Sequence, residues 1–200
     1  MRSPANDIID LYRRHAVAWA TARGDVLHER GWMEAFAGLM APGASVLDIG
    51  CGSGVPVARF LVARGHDVTG IDSSPEMIAL FRQNLPGMGS AVADMRMLDL
   101  GHRFGGVLAW DSFFHLTAED QRGMFAVFGA HAAPGAPLMF TSGPGAGEAL
   151  GVLEGDVLYH ASLSGEDYRA LLDGAGFDVV RHVPEDPACG GRTVWLAQTR

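Results

Sequence analysis

The sequence predicts a doubly wound α/β fold, with helices on both faces of a mostly parallel sheet of seven strands. Short apolar runs bounded by glycine or proline alternate with helical patterns from residue 45 to residue 176. The last two predicted strands, residues 177–183 and 193–197, have no helix between them. Because strands joined without a helix pair most simply as antiparallel neighbours, we expect an antiparallel C-terminal strand.

The composition is that of one globular domain without a nucleic-acid or membrane partner. The chain has 200 residues, 48% of them hydrophobic and 19% charged, with a net charge of −8. Its Lys and Arg residues are scattered, whereas nucleic acid and anionic membranes require a basic surface. No apolar run approaches a membrane span, and the N-terminus lacks the apolar core of a signal peptide. With both cysteines interpreted as reduced thiols, we expect a cytoplasmic protein, either a monomer or a homodimer.

The predicted elements follow in order along the chain. Two helices, residues 7–23 and 32–39, precede the first strand, and the first of them is expected to lie across the sheet edge or over the ligand site. Three later helices begin at the cap residues Ser73, Thr117 and Ser164. Strands are predicted at residues 46–49, 67–72, 90–94, 105–111 and 136–142, and residues 143–154 are predicted to be irregular.

The most specific stretch is residues 46–54, where a buried apolar strand runs into three alternating glycines. Gly50, Gly52 and Gly54 leave the backbone bare, so that a ligand can approach the peptide closely. The helix that follows, residues 55–65, presents its N-terminus to the same place. This combination predicts a ligand site that favours anionic groups.

Three predicted strands end on an aspartate, namely Asp72, Asp94 and Asp111, and Asp48 lies next to the end of the first strand. The carboxyl ends of parallel strands form the ligand-binding edge of a doubly wound sheet. Asp72 follows Gly54 at close to the roughly 20-residue offset at which an acidic residue reaches a ribose hydroxyl. A turn or helix cap explains any one of these aspartates, but their shared position at strand ends favours a nucleoside site.

Two ligands fit such a site, a dinucleotide and S-adenosylmethionine. The dinucleotide fingerprint requires a third small residue where this chain has Val55. The chain instead resembles the class I S-adenosylmethionine-dependent methyltransferases, specifically the small bacterial single-domain group, from residue 45 to the C-terminus. The motifs that carry the resemblance are Asp48-x-Gly50-x-Gly52-x-Gly54, Asp72 and Asp94-Met95. It implies a Rossmann-like fold, with S-adenosylmethionine as cofactor and S-adenosylhomocysteine as product.

The resemblance also implies a role for each residue at this edge. Asp48 would orient the glycine loop and the cofactor's amino group, and Asp72 would accept hydrogen bonds from the ribose hydroxyls. Trp110 and Asp111 would bracket the methionine moiety and the transferring methyl group. The methionine part would contact Gly50, Cys51 and Gly52, the ribose and adenine would contact Ile71 and Ser73, and the adenine edge would contact Asp94 and Met95.

We expect a single methyltransferase domain over residues 1–200. Its parts are a helical lid at residues 1–44, a cofactor-binding half at 45–142 and an acceptor-side half at 143–200. On the first helix, Tyr12, Trp19 and Arg23 are lid candidates, and Arg23 or Tyr12 would meet the cofactor carboxylate. Amphipathic packing is the alternative explanation for Tyr12 and Trp19.

The predicted reaction is methyl transfer to a small-molecule acceptor by in-line displacement at the sulfonium. An amine or thiolate acceptor needs no strong base, whereas a hydroxyl needs one, for which His115, Tyr159 and His160 are the candidates. A packing role beside the adenine is the alternative for His115. No Asn/Asp-Pro-Pro-Tyr/Phe sequence follows the fourth strand, which argues against planar amino groups of bases or glutamine as acceptors.

Two other functions stay open at this point. One is a nicotinamide-dependent oxidoreductase, against which Val55 and the antiparallel C-terminal end argue. The other is a non-catalytic protein that binds S-adenosylmethionine, which a turnover measurement distinguishes from an enzyme. We expect no metal, because no histidine pair has ligand spacing and the carboxylates are assigned to the cofactor.

Overall fold

A computed structural model describes residues 4–200, so the first three residues of the predicted lid lie outside the described residues. Its strands are β1 (Ser45–Ile49), β2 (Asp67–Asp72), β3 (Gly89–Val92), β4 (Gly106–Ala109), β5 (Pro137–Ser142), β6 (Gly147–Leu153), β7 (Asp156–Ser162), β8 (Phe177–Asp186) and β9 (Arg192–Thr199). Seven of them form one sheet in the order β3-β2-β1-β4-β5-β9-β8. Strands β1 to β5 run parallel, and β9 is antiparallel to both β5 and β8. The predicted fold class is therefore confirmed.

The helices cover both faces of this sheet. They are α1 (Ile8–Arg23), α2 (Arg30–Gly38), α3 (Val57–Ala63), α4 (Pro75–Asn84), α5 (Ala118–His131) and α6 (Gly165–Gly174). Helices α5 and α6 pack on one face, and α2, α3 and α4 pack on the other. Successive residues of a strand point to opposite faces, so Leu47 of β1 belongs to the first core and Val46 to the second.

The starts of α4, α5 and α6 follow cap chemistry that is visible in the sequence. The Thr117 side chain accepts from Asp120 N, and the Ser164 side chain accepts from Asp167 N, as predicted. For α4 the predicted cap was one residue early, since Ser74, not Ser73, accepts from the amide of Met77 at 3.2 Å. The reason is that the amide of Ser74 itself donates to Asp72, which ends the preceding strand.

Residues 143–146 are irregular as predicted, but residues 147–153 form strand β6. Strand β6 pairs antiparallel with β7 over seven residue pairs, and the turn between them has positive φ at Glu154 (51°) and Gly155 (89°). This is the backbone that a two-residue hairpin turn requires. Strand β6 is rich in glycine and is largely exposed, so it lacks the apolar alternation that identifies a strand in a sequence.

The hairpin lies beside α1 and beside the short 3-10 turn Phe113–His115 that follows β4. It therefore contributes to the surroundings of the carboxyl edge of the sheet, where ligands bind in doubly wound folds. Within residues 4–200, no helix is both long enough and apolar enough to cross a membrane.

Candidate functional site

A cavity of about 250 Å³ lies at the carboxyl ends of β1, β2 and β4 and is bordered by α1. The sheet order reverses between β1 and β4, so this is the switch point of the fold. Fifteen of the residues singled out in the sequence line it: Tyr12, Trp19, Arg23, Asp48, Gly50, Cys51, Gly52, Ile71, Asp72, Ser73, Asp94, Met95, Trp110, Asp111 and His115. Their individual roles stay predictions, because no ligand contact is described.

The glycine loop packs against Ile71 of β2 and Ser112, which lies after β4. The amides of Gly50 and Cys51 both donate to the carbonyl of Ile71, at 2.7 and 3.0 Å. Gly50 has φ of 75°, and a Cβ added there would lie 2.3 Å from the Cβ of Ser112. A Cβ on Gly52 would lie 3.1 Å from the Trp19 ring, so this residue of α1 packs directly against the loop.

Two carboxyl groups lie beneath the loop. Asp48 is 3% exposed, and its burial, together with the charge of Asp72, raises its pKa to about 7. Asp72 accepts hydrogen bonds from the amides of Gly52 at 3.0 Å and Ser74 at 2.8 Å. Burial raises the pKa of Asp72, and these amide hydrogen bonds act in the opposite direction. The two amides fix the Asp72 carboxylate at the end of β2.

Asp94 has a neighbour that the sequence did not indicate. Its carboxylate accepts from the backbone amide of Arg96 at 3.0 Å and from the Arg96 guanidinium, which lowers the pKa of Asp94. Arg96 also contacts Asp120 at 3.4 Å and lines the cavity. The carboxylate predicted to contact the adenine edge is therefore already paired with a guanidinium.

Tyr12 on α1 is hydrogen-bonded to His115, in the 3-10 turn that follows β4. The Tyr12 hydroxyl lies 2.8 Å from His115 Nε2, and His115 Nδ1 lies 2.8 Å from the carbonyl of Tyr159. Because a carbonyl can only accept, Nδ1 carries the hydrogen and Tyr12 donates to Nε2. Burial lowers the pKa of His115 to about 4 and raises that of Tyr12. At neutral pH both groups are uncharged, and both ring nitrogens of His115 are engaged.

The other two predicted catalytic residues do not reach the cavity. The buried Tyr159 side chain donates to Glu148 at 2.7 Å, on the neighbouring strand of the hairpin. The His160 ring packs against the rings of His115 and Phe114, at centroid distances of 4.8 and 5.3 Å. Both belong to β7, and only the backbone carbonyl of Tyr159 takes part in the network around His115. Their catalytic roles stay predictions.

Two arginines form ion pairs at the cavity: Arg23 lines it directly, and Arg192 contacts Asp111, which lines it. Arg23 donates to Glu29 and to the carbonyl of Val26, and the Glu29 side chain is fully buried. Arg192, at the start of β9, binds both carboxylate oxygens of Asp111. Arg192 was missed, because it is 81 residues from Asp111 in the sequence and only the antiparallel pairing of β9 with β5 brings it there.

Among the residues that the structure describes, no three His, Cys, Asp or Glu side chains are grouped so as to hold a metal ion. The cavity is instead lined by the glycine loop, by carboxylates at strand ends and by the aromatic rings of Tyr12 and Trp19 on α1. This donor set suits a polar organic ligand with a planar part.

A doubly wound sheet with such a cavity at its switch point defines a class, the Rossmann-like proteins that hold a nucleoside-containing ligand. Residues 46–135 match the family described as "Methyltransferase domain". Residues 46–135 are therefore a methyltransferase domain, in agreement with the resemblance of the motifs to the class I S-adenosylmethionine-dependent methyltransferases.

Two relatives illustrate this similarity. The chain is 33% identical over 94 residues to dTDP-3-amino-3,4,6-trideoxy-alpha-D-glucopyranose N,N-dimethyltransferase of Streptomyces venezuelae, covering 46% of this chain and 39% of the relative. It is 30% identical over 180 residues to an arsenite methyltransferase of Halobacterium salinarum, covering 79% of this chain and 43% of the relative. The chain thus spans about two fifths of the length of these curated relatives.

Solved structures match over nearly the whole chain. The amino pentose methyltransferase CalS10 of Micromonospora echinaspora, bound to S-adenosylmethionine, has a TM-score of 0.70 at 24% identity, covering 92% of this chain and 95% of that one. Magnesium protoporphyrin IX methyltransferase of Synechocystis PCC 6803 has a TM-score of 0.75 at 18% identity, covering 100% and 99%. At these identities the matches establish the fold.

Proposed function

We propose that this chain binds S-adenosylmethionine in the cavity and directs its methyl group to a small-molecule acceptor by in-line displacement. The observation that carries the proposal is the meeting of the glycine loop, Asp72 and Asp94 in one cavity at the switch point. The family assignment supports the same cofactor. When bound, this cofactor supplies a methyl group on a positively charged sulfur.

The residues present fit this cofactor. Gly50 and Gly52 line the cavity, and a Cβ on either would press on Ser112 or on the Trp19 ring, so only glycine lets the loop follow this path. Each oxygen of Asp72 accepts one described amide hydrogen bond and keeps capacity for a ribose hydroxyl. Asp94 is proposed to accept from the adenine edge, in competition with Arg96.

The remaining roles are assigned in the same way. Tyr12, Trp19 and Arg23 are proposed to close over the cofactor, since all three line the cavity from α1. Trp110 and Asp111 are proposed to face the methionine part and the methyl group, because the adjoining Ser112 contacts Gly50. One domain is proposed for the chain, with residues 1–44, 45–142 and 143–200 serving as lid, cofactor half and acceptor side.

The acceptor is proposed to be a nucleophile that needs no general base, such as an amine or a thiolate. His115 is the histidine that lines the cavity, and it has a pKa lowered to about 4 and both ring nitrogens engaged. A group with so low a pKa is too weak a base to remove the proton of an acceptor hydroxyl effectively at neutral pH. An amine attacks with its own lone pair, and one relative is named for dimethylation at nitrogen.

Binding is tested by titration calorimetry with S-adenosylmethionine and S-adenosylhomocysteine. We expect both to bind, and we expect Asp72→Ala to weaken both by about tenfold or more because hydrogen bonds from the ribose lose a charged partner. Asp67→Ala is the matched control, since Asp67 is an exposed aspartate at the opposite end of the same strand. Wild-type protein that binds neither compound would remove the proposal.

Turnover is tested separately with cofactor labelled in its methyl group. The panel contains small amines, thiols and alcohols, and we expect label in products of the first two classes at pH 7.5. Label transferred only to alcohols would contradict the proposed acceptor class. Cofactor binding without transfer to any extractable metabolite would indicate a non-catalytic binding protein.

A further inference from the structure

Arg192 holds Asp111 through a multivalent ion pair. Its Nε donates to Asp111 Oδ1 at 3.0 Å and to Oδ2 at 2.8 Å, and its Nη2 lies 2.8 Å from Oδ2. Nη1 donates to the carbonyl of Cys189 at 3.1 Å, so the guanidinium is anchored on both sides. Such planar, forked contacts fix a carboxylate in orientation as well as in position.

The backbone of Asp111 is also unusual. It has φ of 47°, a left-handed conformation that residues other than glycine adopt rarely. The Asp111 amide is within hydrogen-bond distance of Thr141 Oγ1, at 2.8 Å, on the adjacent strand β5. Arg192 and Thr141 together hold this strained residue at the cavity wall, where strain is commonly associated with function.

Asp111 lies next to the part of the cavity that faces the glycine loop. The following residue, Ser112, donates to the carbonyl of Ile49 at 2.7 Å and would touch a Cβ on Gly50. The Arg192 guanidinium also lies 6.0 Å from the ring centroid of Trp110. The Arg192–Asp111 pair is therefore beside the loop to which the proposed function assigns the methionine end of the cofactor.

We propose that Arg192 is a positioning residue that orients Asp111 and neutralises its charge beside the cofactor sulfur, an inference that rests on the proposed function. Methyl transfer to a neutral acceptor removes positive charge from the sulfur. An unpaired carboxylate near the sulfur would stabilise the charged reactant more than the transition state and slow the transfer. Arg192 suppresses this ground-state stabilisation while keeping the Asp111 oxygens in place as hydrogen-bond acceptors.

The test compares two ligands that differ in the charge on sulfur. S-adenosylmethionine carries a sulfonium, and S-adenosylhomocysteine carries a neutral thioether with the same amino acid and nucleoside parts. We expect Arg192→Gln to bind the sulfonium ligand preferentially, so that the ratio of the homocysteine Kd to the methionine Kd rises about fivefold. Calorimetry on the folded variant measures both constants without any acceptor.

Three further variants separate charge from structure. Asp111→Asn leaves the guanidinium unpaired, so the ratio should fall by about fivefold. Arg192→Lys keeps the positive charge but cannot make the bidentate contact with Asp111. The ratio of the two Kd values should therefore stay near that of the wild type, while both ligands bind more weakly. The double variant Arg192→Gln with Asp111→Asn should return the ratio to the wild-type value. Arg122→Gln, which removes an exposed pair with Asp167, is the control.

The outcomes are distinguishable. A ratio unchanged in both Arg192→Gln and Asp111→Asn, with both ligands weakened in parallel, would reduce Arg192 to a purely structural role and overturn this inference. If Arg192→Gln does not fold, Asp111→Asn alone decides, because its expected change has the opposite sign. Wild-type protein that binds neither ligand would instead refute the proposed function.

Discussion

At the scale of single residues, the buried Asp48 makes the stability of the protein depend on pH. Its pKa is raised from the ordinary 3.8 to about 7, so the folded state retains a proton that the unfolded chain releases. The contribution of Asp48 to stability is therefore fully present below pH 4, declines as the pH rises towards 7 and is lost above it. The loss at high pH arises because the Asp48 carboxylate is then charged while buried, and because it lies near the carboxylate of Asp72.

Replacing Asp48 by asparagine removes this titration. We expect Asp48→Asn to be more stable than the wild type at pH 8, by roughly 2 to 4 kcal/mol, and to differ little at pH 4. Urea denaturation at the two pH values measures the difference. Asp67→Asn, at an exposed position, should show no such pH dependence. An equal difference between Asp48→Asn and wild type at both pH values would contradict a raised pKa.

Gly50 offers a second test at this scale. Gly50→Ala introduces a Cβ at φ of 75° and forces it against Ser112, at 2.3 Å. We expect a loss of about 2 to 4 kcal/mol in unfolding free energy, because backbone strain and overpacking add. Gly65→Ala is the matched control: it has φ of 87° and nothing within 4 Å, so only the strain of about 1 to 2 kcal/mol applies. Equal losses of unfolding free energy in the two variants would show that Ser112 can move aside without destabilising the protein.

The sequence could predict the part of the site that follows directly from strand ends. Asp48, Asp72 and Asp111 each end or follow an apolar run, so the topology of a parallel sheet places them together. Arg192 and Glu29 carry no such local signal, since their partners lie elsewhere in the chain and depend on register and packing. The sequence does not predict strand β7, so it does not show that Tyr159 and His160 lie outside the cavity.

At the scale of elements, caps and terminators made the helices predictable, whereas the β6–β7 hairpin was not. A helix start depends on one side chain and the three residues after it, and Thr117 and Ser164 act in this way. The hairpin depends on its docking against α1 and the Phe113–His115 turn, because most of β6 is exposed. Such tertiary context does not appear as periodicity in a sequence.

The hairpin is also hydrogen-bonded to α1, the proposed lid. Asp156 accepts hydrogen bonds from Arg14 at 2.7 Å and His15 at 2.8 Å, both on α1. We expect Asp156→Asn to release S-adenosylmethionine about two- to fivefold faster, because the lid opens more easily, with little change in the melting temperature. Stopped-flow displacement measures the rate.

Salt provides an internal check on this contact. Because the pair is exposed, raising the ionic strength should accelerate release from the wild type more than from Asp156→Asn. Asp167→Asn removes an exposed carboxylate that is paired with Arg122 away from the lid, and it should release cofactor at the wild-type rate. If all three proteins release cofactor at one rate at every salt concentration, Asp156 does not control the lid.

At the scale of the whole molecule, both hydrophobic cores share the same central strands. Val107 and Leu108, which are adjacent on β4, face opposite cores, and so do Leu138 and Met139 on β5. Neither face can lose its packing without disturbing the strands that support the other. We therefore expect residues 1–200 to unfold in one cooperative transition, in agreement with a single domain.

Cofactor binding should raise the temperature of that single transition, because the site is built from the ends of the shared strands. At a ligand concentration of 100 Kd, the folded state gains about 2.7 kcal/mol, which corresponds to roughly 5 to 10 °C for a chain of this size. Differential scanning calorimetry with and without S-adenosylhomocysteine measures the shift, and Asp72→Ala at the same concentration should show a much smaller one. Two separate transitions, with only one moved by ligand, would mean that the lid or the acceptor side folds independently of the cofactor half.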